Sequence, residues 1–187
     1  AAVLRADLRD AAQTEQLVPR AIEQLGRLDI LINNAAVFER GALEQTGLSQ
    51  WEETLRVNLT APFLLARAAA PSLRVAGGRI VNLCDICTAR PWPAYLAYCI
   101  SKAGLEALTR GLARELAPQV NVVGIAPGVA AWPEDFDGDM REKLTVNIPL
   151  RRAGRPEEIA EAVHFVLRDG DYISGAIIPI DGGRSIG

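Results

Sequence analysis

Residues 78 to 102 read GRIVNLCDICTARPWPAYLAYCISK, and this stretch decides the fold. Arg79 to Leu83 is a short apolar run after two glycines, which predicts a buried strand. A helix is predicted from Tyr95 to about Ala117. Because Tyr98 and Lys102 are four residues apart, they share one face of that helix. An ammonium group beside a phenol favours the phenolate, so the pair predicts a lowered tyrosine pKa and proton exchange near neutral pH. The alternative is a surface Tyr and Lys one turn apart.

Strands and helices of similar length lie on both sides of this stretch. Further strands are predicted at Ala2 to Ala6, Leu28 to Ile32, 120 to 125 and Ala176 to Ile180. Further helices are predicted from Asp10 to Leu25, from Ser49 to about Ala70 and from Glu157 to Arg168. Residues 129 to 147 are predicted to form a loop. This alternation predicts an α/β fold of one domain, residues 1 to 187, with a doubly wound, Rossmann-like parallel sheet.

Local signals set the helix ends. Asp10 with Gln13 is a plausible capping pair, Gly26 ends the first helix, and Pro19 should kink it or delay its start. Ser49-Gln-Trp-Glu52 predicts a capping box, and Pro71 marks the end of that helix. Pro156 stands at the first position of the last helix.

Composition narrows the class of protein. A net charge of −3 over 187 residues gives no basic field for nucleic acid. No apolar run approaches the roughly 20 residues that span a bilayer, so a cytoplasmic, reducing setting is expected. Cys84 and Cys87 form a Cys-x-x-Cys motif, which suggests either a redox dithiol or, more simply, buried reduced thiols. No cluster has metal-ligand spacing, and the single histidine, His164, is expected to be structural.

Further motifs follow predicted strands or lie within a helix. They are Asn33-Asn34-Ala35-Ala36, Asn58 in RVNL, Pro127-Gly128 and Asp181-Gly182-Gly183. In this order and spacing, with Tyr98 and Lys102, they resemble the short-chain dehydrogenase/reductase family from Asp7 to Gly183. That resemblance implies hydride transfer between a nicotinamide and a carbonyl or imine, with Tyr98 and Lys102 as the proton-transfer pair. It also implies a homotetramer, assembled partly through the Tyr98 helix.

One position departs from the family pattern. The family usually has Ser thirteen residues before the Tyr, whereas this chain has Asp85. Asp with Tyr and Lys at this spacing resembles the bacterial type of the pteridine reductase branch. The stretches Asn33 to Phe38, Ala126 to Glu134 and Asp181 to Ser185 resemble it too, although Ala36 stands where that branch often has Ser.

The chemistry of a carboxylate at this position favours imine reduction. An ionised Asp85 cannot donate a hydrogen bond to a carbonyl oxygen and would repel its growing negative charge. It suits instead a substrate whose ring nitrogen gains a proton. Two alternatives stay open: burial could keep Asp85 protonated and restore ketone chemistry, or the site could only bind.

The resemblance also assigns the remaining site residues. The implied catalytic set is Asp85, Tyr98, Lys102 and Asn58, with Asn58 in a proton relay behind Lys102. The implied NADPH contacts are Asp7 and Leu8 at the adenine, Asn34 and Ala35 along the ribose, Tyr98, Lys102, and Pro127 and Gly128 near the nicotinamide. The implied substrate contacts are Phe38, Asp85, Tyr98 and Trp132, with no metal. The alternatives are backbone capping for Asn33 and Asn58, a core position for Phe38 and an interface role for Trp132.

A Gly-rich phosphate-binding turn is missing. No Gly-x-x-x-Gly-x-Gly precedes Leu28, although such a turn normally opens a dinucleotide-binding sheet. By alignment with the family, the first strand, first helix and second strand are absent, so we expect an N-terminally incomplete chain. The Ala2 strand should then lack its partner, and the Leu28 strand should be an open edge.

These observations predict NADPH-dependent reduction of dihydropterins or dihydrofolate, with a small-molecule pterin or folate as the partner. The alternatives are a general short-chain reductase of carbonyls, such as 3-oxoacyl thioesters, and a catalytically weak nucleotide-binding protein. Asp85 and Phe38 favour the first over the second. The intact Tyr98 and Lys102 pair and Asn58 argue against the third.

Overall fold

A parallel four-stranded sheet forms the centre of the computed structural model, which describes residues 1–132 and 136–186. Its strands lie in sequence order: β1 Ile30–Asn33, β2 Arg79–Leu83, β3 Asn121–Pro127 and β4 Ile177–Ile180. The helices are α1 Ala11–Leu25, α2 Leu48–Leu55, α3 Ala61–Ala76, α4 Leu96–Glu115, α5 Gly138–Val146 and α6 Pro156–Arg168. A π-helical turn, Arg56–Thr60, joins α2 to α3, and a 3-10 turn, Ile86–Thr88, follows β2.

Helices cover both faces of the sheet. Because successive strand side chains point to opposite faces, neighbouring residues of β2 and β3 enter different cores. Ile80 and Val122 pack with α1, α3 and α4, and their cluster includes Val18, Leu73 and Leu116. Val81 and Val123 pack instead with Val166 of α6. The doubly wound α/β arrangement predicted from sequence is therefore confirmed.

The N-terminal segment differs from its prediction. Ala2 to Ala6 was predicted as a strand, but residues 1 to 6 form no strand. A strand needs a neighbour for its backbone hydrogen bonds, and no described strand pairs with this segment. β1 pairs only with β2 among the described strands, as expected for an open edge. Ile30 and Ile32 on that edge are 43% and 44% exposed.

The first helix keeps most of its predicted limits. The Asp10 carboxylate accepts hydrogen bonds from the Ala12 and Gln13 amides at 2.9 and 3.2 Å, so the capping pair is confirmed. Gly26 ends the helix with a φ of 81°, a left-handed conformation that favours glycine. The helix starts at Ala11, so Pro19 does not delay it.

Two predicted limits of the next helical segment are wrong. The cap of helix α2 is Gly47, two residues before the predicted cap Ser49, and it makes no side-chain hydrogen bond. Pro71 lies inside α3 instead of ending it. Pro71 is exposed, while Leu73, two residues further along the helix, is fully buried in the cluster that contains Ile80 of β2. Burial of the α3 face outweighs the one backbone hydrogen bond that a proline removes.

The predicted loop from 129 to 147 contains a helix. Helix α5 begins after Asp137, whose side chain accepts a hydrogen bond from the Met140 amide at 2.8 Å. Residues 133 to 135 of this region, including the last residues of the Ala126 to Glu134 stretch, lie outside the described residues. None of the described helices has the length and hydropathy of a membrane span.

Truncation of Leu73 tests the core between α3 and the sheet. Leu73→Ala removes a fully buried side chain, so we expect the free energy of unfolding to fall by about 2–5 kcal/mol. Val75→Ala is the matched control on the same helix, because Val75 is 92% exposed and should change stability by less than about 0.5 kcal/mol. Urea denaturation measures both, and equal effects would contradict this packing.

Candidate functional site

The candidate site lies where the four strands end. Asn33 closes β1, Asp85 follows β2 by two residues, Pro127 closes β3 and Asp181 follows β4. The parallel register pairs Asn33 with Asn82, Leu83 with Ile125 and Pro127 with Ile180, so these ends meet at one edge. Ligands of doubly wound sheets bind at this edge, which makes it the place to look for a site.

Asp85 and Tyr98 are in direct contact. The Tyr98 hydroxyl donates a hydrogen bond to Oδ2 of Asp85 at 2.7 Å. The other carboxylate oxygen, Oδ1, accepts from the Cys87 amide at 2.8 Å, because Asp85 caps the 3-10 turn. Tyr98 itself is only 6% exposed. The 3-10 turn therefore fixes the position of the Asp85 carboxylate, and the carboxylate orients the Tyr98 hydroxyl.

This contact reverses the predicted shift of the Tyr98 pKa. Burial, and then the negative charge of Asp85, raise the pKa of Tyr98 well above its usual value. The Lys102 ammonium lies 5.7 Å from the centre of the Tyr98 ring and donates to the Leu83 carbonyl at 2.7 Å. Burial lowers the pKa of Lys102, although Asp85 opposes that change. The expected lowering of the tyrosine pKa by lysine is therefore wrong, because burial and the adjacent Asp85 carboxylate both favour the neutral phenol.

Asn58 joins the loop after β1 to helix α4. Its amide is only 1% exposed and pairs with both backbone groups of Val37, accepting at 2.7 Å and donating at 2.9 Å. It also donates to the Ser101 hydroxyl at 3.0 Å, and Ser101 in turn donates to the Tyr98 carbonyl at 2.7 Å. Asn58 thereby fixes the residue before Phe38 relative to the tyrosine helix. The proton relay behind Lys102 stays a prediction.

Asn33 belongs to a buried polar chain between β1, β2 and α4. Its Nδ2 donates to Asn82 at 2.8 Å, and Asn82 donates to Thr109 at 2.8 Å. The Oδ1 atom of Asn33 is buried and accepts no hydrogen bond within the described structure. Asn33 thus connects the strand ends, while its neighbours Asn34 and Ala35 are exposed at the same edge.

An aromatic cavity of about 500 Å³ opens beside Asp85 and Tyr98. Phe38 is 40% exposed, which contradicts a core position under its loop. Its ring stacks on Tyr95 at 4.6 Å between ring centres and stands edge-on to Tyr98 at 4.7 Å. Trp132 also lines this cavity, and its ring centre lies 6.4 Å from that of Phe136. Phe38 and Trp132 therefore both contribute to the cavity that contains Asp85.

A second, more open cleft of about 690 Å³ lies beside the loop after β1. Asp7, Leu8 and Ala35 line it, three residues that the family resemblance places along the cofactor. The Asp7 carboxylate is paired with Arg9 at 2.8 Å, which lowers the pKa of Asp7 to about 2. The structure thus brings these three predicted cofactor-binding residues together in a cleft that shares none of its described lining residues with the aromatic cavity.

The cysteines near the site are buried thiols. Cys84, Cys87 and Cys99 are free and buried, which confirms the simpler of the two interpretations. Burial raises the pKa of Cys84 to about 11 and raises the pKa of Cys87 further. Such thiols are poor nucleophiles near neutral pH. Residues 1–132 and 136–186 contain no group of three or more His, Cys, Asp or Glu side chains suited to a metal.

Sequence reasoning missed several residues of the aromatic cavity. Tyr95 was named only as the start of a predicted helix, and Trp92 was not singled out, yet both line the cavity. Their position could have indicated this role, because both lie in the short segment that joins Asp85 to Tyr98. Met140 and Leu144 were missed because α5 was predicted as a loop, and Arg184 was given no role.

Comparisons with known proteins agree with the fold. A family model described as enoyl-(acyl carrier protein) reductase matches residues 1–185. The chain belongs to the short-chain dehydrogenase/reductase family. It is an oxidoreductase of that family, and the observed sheet is the one expected for it.

Three relatives illustrate the likeness. A protein of Streptomyces violaceoruber, named as a ketoacyl reductase of the granaticin polyketide synthase, is 36% identical over 98% of this chain and 76% of its own length. The 3-oxoacyl-acyl-carrier-protein reductase of Staphylococcus aureus is 32% identical over 96% of this chain and 75% of its own length. A solved structure of a blue fluorescent protein from a metagenomic library, in complex with NADPH, has a TM-score of 0.89 and 36% identity, covering 96% of this chain and 74% of that one. None of these three names specifies pteridine reduction.

Replacement of Asp85 tests the cause of the raised Tyr98 pKa. In Asp85→Asn the negative charge is gone but the burial remains, so the pKa of Tyr98 should fall toward, yet stay above, the usual value of about 10. Titration of the tyrosine ¹³Cζ resonances by NMR measures it, with Tyr98→Phe to assign the signal. Glu106→Gln removes a carboxylate that bonds Thr88 and Arg110 instead, and it should leave the titration unchanged. An unaltered Tyr98 titration in Asp85→Asn would contradict the assignment.

Proposed function

We propose that this protein is an NADPH-dependent reductase of dihydropterins or dihydrofolate, acting on a C=N bond. The observation that supports it most is the hydrogen bond of 2.7 Å between Tyr98 and Asp85 beside the aromatic cavity. The family resemblance of the Asp, Tyr and Lys pattern points to the same chemistry.

In this proposal Tyr98 delivers a proton to a ring nitrogen. Burial and Asp85 raise the pKa of Tyr98, so the hydroxyl keeps its proton at neutral pH. An ionised Asp85 accepts hydrogen bonds and would repel an oxyanion, but it stabilises a nitrogen that is gaining positive character. Lys102 supplies the compensating positive charge within the buried site. The catalytic roles of Asp85, Tyr98 and Lys102 follow from these charges.

The aromatic walls suit a flat heterocycle. Phe38 and Tyr95 stack with their rings 11° apart, while Trp92 and Tyr98 stand nearly perpendicular to Phe38. Planar rings gain about 0.5–1.5 kcal/mol from such offset or edge contacts beyond their burial. We propose that Phe38 and Trp132 contact the pterin and that Asp85 and Tyr98 bind its ring nitrogens.

The cleft beside the loop after β1 fits the cofactor. Asp7 and Leu8 line it near Ala35, and Asn34 is exposed at the strand end next to it. Gly128 lines the same cavity as Asp85, and we propose that Lys102, Pro127 and Gly128 contact the nicotinamide end of the cofactor. NADPH would supply the hydride there. Asn58 would complete the site through Val37 and Ser101, next to the tyrosine helix.

A carbonyl reductase is the second candidate function. The names of the two curated relatives favour it, since both describe reduction of oxoacyl groups. The largely apolar cavity would also accept an acyl chain. This function requires a proton on Asp85, so that the carboxyl group donates to a carbonyl oxygen.

The two functions differ in one assay. We expect the full-length protein to oxidise NADPH with dihydrobiopterin and to be inactive with a 3-oxoacyl thioester. Asp85→Ser should lower pterin turnover by about 10²–10⁴-fold, since it removes the group paired with the proton donor. Tyr98→Phe is the control that should remove activity on either substrate. Turnover of the thioester alone would sink the pterin proposal.

We also propose a homotetramer in the cytoplasm. The exposed apolar side chains of Phe63 on α3 and of Leu96 and Ile100 on α4 support an interface there, and the free thiols support a reducing compartment. Light scattering after size exclusion tests the assembly, and a monomer at micromolar concentration would contradict it.

A further inference from the structure

Arg184 occupies a fixed turn after β4. The Asp181 carboxylate accepts from the Gly183 amide at 2.9 Å and from the Ser185 amide at 2.7 Å, on either side of Arg184. Gly182 and Gly183 have φ values of 63° and 87°, which residues with a side chain rarely adopt. The turn therefore presents the Arg184 side chain from a defined backbone position.

The side chain reaches the aromatic cavity. Its guanidinium carbon lies 5.3 Å from the centre of the Trp92 ring, a cation–π contact, and Arg184 lines the same cavity as Asp85. It also lines an adjoining cavity of about 380 Å³ with Asn147 and Ser185. Arg184 is half-buried, and this burial lowers its pKa, an effect that the charges of Asp85 and Asp181 oppose.

The Arg184 guanidinium has no ion-pair partner among residues 1–132 and 136–186. Other arginines such as Arg9, Arg79 and Arg152 pair with carboxylates, but within the described part of the chain Arg184 pairs with none. A guanidinium has five N–H donors in a planar fork that matches a carboxylate. Partial removal from water without a protein carboxylate is costly, and a bound anion would offset that cost.

We propose that Arg184 binds a carboxylate of the substrate and makes the enzyme prefer anionic pterins, the folates, to neutral ones. This inference rests on the proposed pterin function of the same cavity. In this proposal the reducible ring lies at Asp85, whose oxygens accept from Tyr98 and Cys87, and the substituent extends toward Arg184. Dihydrofolate carries glutamate carboxylates on its substituent, whereas dihydrobiopterin carries only hydroxyl groups.

The test compares two substrates in the full-length protein. With NADPH saturating, we expect Arg184→Met to lower the ratio of kcat/KM for dihydrofolate to that for dihydrobiopterin by about 10- to 100-fold, mainly through the KM of dihydrofolate. Arg184→Lys keeps the charge but loses the fork, so its ratio should be intermediate. Arg168→Met is the matched control, because Arg168 is paired with Asp169 and lies outside the cavity lining.

A second measurement does not depend on turnover. Calorimetric titration with folate should show wild-type affinity that falls as salt rises, and this dependence should weaken in Arg184→Met. An unchanged substrate ratio, with equal loss on both pterins, would mean that Arg184 acts on Asp85 or on packing, and it would overturn the proposal. A raised KM for NADPH in place of the substrate effect would also overturn it. If the wild type turns over neither pterin, the proposed function fails. The calorimetric titration then tests the carboxylate site by itself: folate binding that is lost in Arg184→Met would support the site, and equal binding by both proteins would overturn it.

Discussion

The hydrogen bond between Tyr98 and Asp85 sets the chemistry of this site. It joins the end of β2 to the first turn of α4 across thirteen residues of chain. The backbone amide of Cys87 holds the other carboxylate oxygen, so the acceptor is in place before any ligand arrives. A serine at position 85 would leave the tyrosine beside a neutral hydroxyl. The carboxylate instead accepts a hydrogen bond from the phenol, and its negative charge adds to burial in raising the pKa of Tyr98.

Buried polar contacts maintain this geometry where apolar packing alone could not. Lys102 is 3% exposed and donates to the Leu83 carbonyl, which ties α4 to the end of β2. Asn58, at 1% exposure, ties the Phe38 loop to the same helix through Val37 and Ser101. Buried polar groups are costly unless they are satisfied, so these contacts favour one arrangement of loop and helix over its alternatives. The Phe38 loop and the Tyr98 helix therefore keep a fixed position relative to each other.

Sequence spacing predicted the parts of the structure that depend on local pattern. The Tyr98 and Lys102 spacing, the β2 strand and the strand-end positions of Asn33 and Pro127 follow from periodicity, and all lie as expected. The errors involve long-range effects. The direction of the Tyr98 pKa depends on a carboxylate from another element, and Pro71 stays within its helix because α3 is packed against the sheet. The role of Tyr95 likewise depends on a ring from a distant loop.

Two cations near Asp85 offset the cost of placing its carboxylate in this site. Asp85 has Lys102 on its buried side and Arg184 on its cavity side, and its charge opposes the burial effect on the pKa of each. The two cations differ in what they can still bind. Lys102 is committed to a backbone carbonyl, whereas Arg184 has no carboxylate partner in the described chain. In the proposed function, a ligand that brings its own negative charge to the Arg184 side would leave Lys102 to balance Asp85, and Tyr98 would keep the proton that it transfers.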